Sequence, residues 1–340
     1  MKNIYLICFM LLASTEMATA QTTTTTSATT VAAPPPPRAR RNMDQPDPNA
    51  PATKYDYRDA FAPFFYSKNG NEFRSASGEP GPKYWQNRAD YRLDVKLNET
   101  TNEIAGTEIL TYTNNSPLKL NFIWMQLDQN LFKKDSRGSA IVPLNGSRNG
   151  GGGQDFDAGY KIKSVKILSG AKNEKAMPVE YLIEDTRMQI FLPKELAANG
   201  GNIKIQIEYS FISPQYGSDR MGIYNAKNGK VFTVAQWFPR VAVFDDIVGW
   251  NTIPYTGPGE FYLEYGDYEL SITAPASHIV VCSGELQNEK EVLTPTQISR
   301  FAEARKSDKT VMIRTDKEVL DPNSRPKATS LTWDFKITNS

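Results

Sequence analysis

Apolar side chains recur at every second position through much of this chain. Tyr91, Leu93, Val95 and Leu97 alternate with Arg92, Asp94 and Lys96, the pattern of a strand with one buried and one wet face. Asn98-Glu99-Thr100-Thr101-Asn102 supplies turn-forming residues, and Ile104 to Thr113 returns, which predicts an antiparallel hairpin. Leu118, Leu120, Phe122 and Trp124 repeat at period two before Met125 and Leu127 make both faces apolar. Further strands are expected at Ile162, Val165 and Ile167. Another follows where Ile203, Ile205, Ile207 and Tyr209 alternate with Lys204, Gln206 and Glu208. Tyr268, Leu270 and Ile272 predict one more. Ile279 to Val281, Val311 with Ile313, and Leu331, Trp333, Phe335 and Ile337 complete the series.

Helical periodicity is scarce. One short helix is expected after Thr294, which can cap, with Pro295 at the first helical position and Gln297 three residues after the cap. Ile298 and Phe301 would form its inner edge. These patterns predict an all-β fold, antiparallel sheets packed face to face with short helices and long loops. The glycines at 146–153, four of them consecutive, read as a loop, because no Lys-Ser or Lys-Thr and no helix pattern follows.

The amino end changes the picture of where the chain works. Lys2, an apolar core from Ile4 to Ala13 and the small residues Ala18-Thr19-Ala20 predict a signal peptide over 1–20. That apolar stretch is too short for a stable transmembrane anchor. The expected destination is therefore the periplasm, the envelope or the medium. Residues 21–56 hold the Thr run 22–26 and four consecutive prolines at 34–37, with too little apolar area to repay ordering, and read as a tether. The folded part is expected over 57–340. Cys8 leaves with the leader, so Cys282 has no partner in the chain and reads as a core residue beside Ile279-Val280-Val281. Formal net charge is +1, and no basic stripe with interleaved aromatics marks a nucleic-acid surface.

One segment looks like the wall of a site. Gln236 precedes Trp237-Phe238-Pro239-Arg240, with Asp245-Asp246, Trp250-Asn251 and Pro254-Tyr255 close behind. Adjacent aspartates in a strand point to opposite faces and cannot both line one cleft. A carboxamide beside large rings suits peptide binding, since it satisfies an amine or a backbone group without bringing a charge. Gln236 is the candidate substrate-binding residue, with Trp237 and Phe238 as a candidate pocket wall. A structured loop packed over a sheet edge is the competing reading.

The text VAQWFPRVAVFDDIVGWNTIPYTGPGEFYLEYGDYELSITAPASHIVVCSGEL, residues 234–286, resembles the amino-terminal domain of M1-family zinc aminopeptidases, especially secreted Bacteroidetes forms. Residues 91–130 resemble that domain's first strands. The resemblance implies a saddle-shaped β sandwich that packs on a carboxy-terminal catalytic domain, with peptide amino-termini as substrate. It also implies that Gln236 reaches toward the substrate amine.

The resemblance stops at the metal. Zinc hydrolysis needs converging deprotonated ligands, an open water position and a general base. The chain has one histidine, His278, and no His-Glu-x-x-His. No catalytic or metal-binding residue and no cofactor is therefore expected in this chain. The zinc is expected in a catalytic domain beyond Ser340, and this chain alone is expected to be inactive. The alternative is a non-catalytic β-sandwich binding or structural module. A β-sandwich glycosidase is a weaker third, for no carboxylate pair across a cleft is legible.

Overall fold

The first predicted hairpin forms as expected: Arg88–Asn98 pairs with Glu103–Asn114 through a turn in which Asn98 Oδ1 accepts from the Thr100 and Thr101 amides. The computed structural model describes residues 70–138, 157–169, 176–214, 221–256 and 262–340, all within one unit, Pro63–Ser340. The expected leader, the Thr/Pro-rich segment and the glycine run at 150–153 lie outside the described residues.

Two sheets carry the fold. The larger has eight strands, in the order β15 (Glu285–Leu286), β16 (Ser330–Ile337), β14 (Tyr268–Pro275), β1 (Arg88–Asn98), β2 (Glu103–Asn114), β8 (Gly201–Ile212), β4 (Lys161–Leu168) and β5 (Ala176–Pro178). The second has four: β11 (Arg240–Val241), β3 (Leu120–Gln126), β7 (Arg187–Leu196) and β6 (Tyr181–Glu184). Two small hairpins, β9 (Gly222–Ala226) with β10 (Gly229–Thr233) and β12 (Phe244–Asp245) with β13 (Gly249–Trp250), pair only within themselves. Pairing is antiparallel throughout the described residues except between β1 and β14, which run parallel.

The core lies between the inner faces of the two sheets. Leu93, Leu110, Ile205, Ile207 and Phe211 from the large sheet join Ile123, Met125, Met188 and Ile190 from the small one in a single cluster of buried side chains. Each such side chain contributes roughly 1.5–3 kcal/mol when fully buried. The outer positions Arg92, Asp94 and Lys96 stay exposed, so β1 shows the alternation its sequence predicts. Gly106 lies opposite Tyr209, whose ring sits 2.9 Å from where a Cβ would be. The missing side chain is what lets that ring lie across β2.

Three expectations need correction. The register between β3 and β7 shifts between Leu120 and Phe122, with the extra residues on β7, and the buried face of β3 continues through Ile123 and Met125 while Leu118 stays exposed. A one-residue slip moves every later side chain to the other face. Residues 279–282 form no strand, and Val281 and Cys282 are exposed, because β16 pairs with β14 and β15 and leaves no place for another strand there. Val311 and Ile313 likewise lie outside any strand.

Three short helices fill the connection between β15 and β16: α1 (Glu289–Val292), α2 (Pro295–Ala304) and α3 (Asp316–Val319). The expected α2 is there, with a capping box in which Thr294 Oγ1 accepts from the Gln297 amide and Gln297 Oε1 accepts from the Thr294 amide. No described helix is long and apolar enough to cross a membrane.

Candidate functional site

The chain leaves β10 at Thr233 and turns sharply at Gln236, whose φ is +55°. A non-glycine residue in this left-handed region carries about 1–2 kcal/mol of strain. The residues that follow explain how the strain is held. Ahead, Pro239 and Arg240 are buried, and β11 pairs Arg240 with Gln126 and Val241 with Met125. The Val241 amide donates to the Tyr91 hydroxyl at 3.0 Å, and the Ala242 amide to the Trp124 carbonyl at 2.8 Å. The segment is thus sewn to the core within a few residues of the turn.

Arg240 forms a buried ion pair with Asp128, which is 2% exposed. Burial pulls the guanidinium down from its ordinary value, but from a starting point so high that the cation persists. Asp128 begins a 3-10 turn, Asp128–Phe132, that follows β3, and its first three residues are all buried polar groups. Gln129 Nε2 donates to the Ala158 carbonyl at 2.8 Å. Asn130 Nδ2 donates to the Asp185 carbonyl, and its Oδ1 accepts from the Tyr160 amide, both at 2.8 Å. Tyr160 in turn sends its hydroxyl toward the Gln236 carbonyl at 3.5 Å.

The Gln236 side chain is half-buried, and its Nε2 donates to the Tyr255 hydroxyl at 3.4 Å, the long end of the hydrogen-bond range. Trp237 and Phe238 are both half-buried and pack against the core. Phe238 packs edge-on against Tyr91, with centroids 5.3 Å apart, and against Tyr268 at 6.3 Å, so it faces the core. Trp237 meets Phe238 edge-on at 5.2 Å and stays half-buried.

The aspartates are turn and anchor residues. Asp245 Oδ1 accepts from the Ile247 and Val248 amides, and its Oδ2 from Asn251 Nδ2. Asp246 takes two bonds from Arg74, at 2.7 and 2.9 Å, which raises that guanidinium further above its ordinary value.

Two acids lie buried nearby. Burial pushes Glu264 up to about 7, and one of its oxygens accepts from the Phe244 amide. Glu108, on the inner face of β2 between Leu93 and Ile207, is fully buried without a hydrogen-bond partner, and burial raises it well above the carboxylate range.

The residues do not fit a zinc ion. The Nε2 of His278 already lies 2.7 Å from Glu99 Oε2, and its ring packs edge-on against Phe232. Among the described residues no group of three or more metal-ligating side chains converges. Sequence reasoning missed Asp128, Asn130, Tyr160 and Thr186. The only signal for the first two was an unbroken polar triplet directly after an apolar strand.

No family model and no curated protein matches the chain. Its fold is remotely similar to M1 zinc metallopeptidases. One is the M1 zinc metallopeptidase from Deinococcus radiodurans, at 12% identity, covering 73% of this chain and 38% of that one with a TM-score of 0.34. A mutant of it bound to a Tyr-Ser-Ala substrate aligns at 11% identity over the same shares, with a TM-score of 0.33. A two-domain M1 zinc metallopeptidase mutant bound to L-tryptophan aligns at 11% identity over 76% of this chain and 41% of that one, at 0.34. The chain thus spans well under half the length of those proteins.

Proposed function

We propose that this β sandwich is a non-catalytic binding module that recognises the free amine of a peptide through Gln236. The observation that carries this reading is the placement of that residue. A strained left-handed turn, anchored within a few residues downstream by buried polar contacts, holds up an uncharged amide at a half-buried position. Strain of this kind persists where the surroundings over-determine it, and it is a pointer to function. The carboxamide oxygen accepts from an ammonium group, while half-buried Trp237 offers an apolar edge for the first side chain. Asp128 neutralises Arg240 close by, so no bare cation repels the amine.

The sequence resemblance of residues 234–286 extends the proposal. In an M1-type aminopeptidase such a module holds the substrate's amino-terminus while zinc and the general base come from a catalytic domain. No step of hydrolysis runs through the residues described here. The leader sequence supports work outside the cytoplasm.

Titration of the 15N-labelled full chain with leucinamide and with N-acetyl-leucinamide tests the reading. Leucinamide is expected to shift the Gln236 side-chain amide and the Trp237 indole signals, and the acetylated compound is not. Equal responses to both, or none to either, would leave a module that does not recognise amines.

A further inference from the structure

A carboxamide has two unlike ends, and only its oxygen accepts from an ammonium group. A freely rotating Gln presents the oxygen part of the time and two repelling N–H donors otherwise. Something must fix the flip, and one residue is placed to do so.

Tyr255 is 19 residues from Gln236 and receives its Nε2 at 3.4 Å. Its own position is held from behind by several independent contacts. The Tyr255 amide donates to Thr186 Oγ1 at 2.9 Å, and Thr186 is fully buried. The Thr186 carbonyl in turn accepts from the Leu127 amide, tying it to the entry of the Asp128 turn. Just upstream, Arg187 Nη1 donates to the Thr252 carbonyl at 3.0 Å, and Gln126 Nε2 to the Asn251 carbonyl at 3.1 Å. Residues 251–255 form no regular element, yet they are fastened to β3 and to the start of β7 at three points. A stretch pinned this way fixes the backbone from which the Tyr255 side chain projects.

We propose that Tyr255 is a positioning residue for Gln236, holding the carboxamide by its nitrogen so that its oxygen faces an incoming amine. This rests on the amine-binding reading above and adds a polarity to it. Tyr160 takes the matching role for the backbone, through the Gln236 carbonyl. With carbonyl and side-chain nitrogen both engaged, the remaining acceptor of Gln236 is the side-chain oxygen.

The test uses the contrast between an amide and a carboxylate. Glu at this position has two equivalent oxygens and needs no flip lock. Tyr255→Phe in the full chain keeps the ring and removes the hydroxyl. In the Gln236 background it is expected to weaken leucinamide binding about fivefold, the worth of roughly one hydrogen bond. In the Gln236→Glu background the same change is expected to leave binding within about twofold. A purely structural role for Tyr255 would cost both backgrounds alike, and that result would overturn the proposal.

A second readout does not depend on ligand. The two side-chain amide protons of Gln236 are expected to resonate away from their solvent-exposed positions in the wild-type chain and to move toward those positions in Tyr255→Phe. Unchanged amide signals overturn the positioning role. Signals that move while leucinamide never binds overturn the amine-binding reading and, with it, the purpose assigned to the lock. Circular dichroism and the thermal midpoint of each variant confirm that folded chains are compared.

Discussion

Arg240, four residues after Gln236, is ion-paired in the interior with Asp128, the first residue of the turn after β3. The pair joins the segment that carries the site to the sheet that supports it. Removing one partner of a buried pair leaves the other charge without compensation, which costs about 3–5 kcal/mol. Asp128→Asn is therefore expected to lower unfolding stability by that amount in urea titrations. Replacing both, as Asp128→Leu with Arg240→Met, is expected to cost clearly less than the single change. Equal losses would show that the charge pair is not what holds the segment.

Gln236 separates stability from binding. Glycine relieves the cost of φ +55° but adds backbone entropy to the unfolded chain, about 0.5–1 kcal/mol. The relief of about 1–2 kcal/mol is at least as large as that cost, so Gln236→Gly should keep or slightly raise its urea midpoint while losing the response to leucinamide. Gln236→Val puts a branched side chain in the same conformation and should destabilise by about 1–3 kcal/mol.

Glu264 makes stability fall as pH rises. Burial lifts its carboxyl from an ordinary 4.5 to about 7 in the folded state. Between those values the unfolded chain releases a proton that the folded chain keeps. Its contribution is thus fully present below about 4.5, declines through the window and is lost above about 7. The decline is about 3 kcal/mol at 1.36 kcal/mol per pH unit. Glu108 is raised in the same direction, so its effect has the same sign. Urea midpoints measured from pH 4.5 to 8 should fall for the wild type. Glu264→Gln should flatten the part below about 7 and be the more stable form above it.

Asp246 is 3% exposed at its side chain and receives Arg74 from the first described segment, where the Gly81 amide also bonds the Phe73 carbonyl. Bonds to charged groups contribute about 1.5–3 kcal/mol. Asp246→Asn should raise amide exchange across residues 70–84 by the matching factor, with β1 and β2 protected as before. Exchange unchanged in that segment would mean that its backbone contacts suffice.

Legibility differed sharply between fold and site. The alternation from Tyr91 to Leu97 and from Ile203 to Tyr209 was enough to place β1 and β8, since a half-buried strand writes its two faces into successive residues. The helix at Pro295–Ala304 was equally plain, because its cap is local chemistry. The pattern misled at Leu118–Trp124, where the register with β7 shifts, and at Ile279–Cys282, an apolar run that no strand takes up. Alternation records what a strand prefers and not whether a neighbour is there to pair with.

Residue types alone marked 234–255 as site-like, for Gln, Trp and Tyr among prolines and turn residues are costly to keep in a plain loop. They did not say what the rings pack against. Only the folded chain sends Phe238 toward Tyr91 and Tyr268, and only there does Tyr255 meet Gln236. The sequence by itself determined the all-β class, the main strands, and the lack of a His-Glu-x-x-His pair within its 340 residues. Tertiary structure decided the left-handed turn at Gln236, the burial of Arg240 on Asp128 and the anchoring of residues 251–255. The physical reason is range. Strand alternation and helix caps act over a few neighbours, whereas these contacts join residues 112 and 19 positions apart and exist only once the sheets have packed.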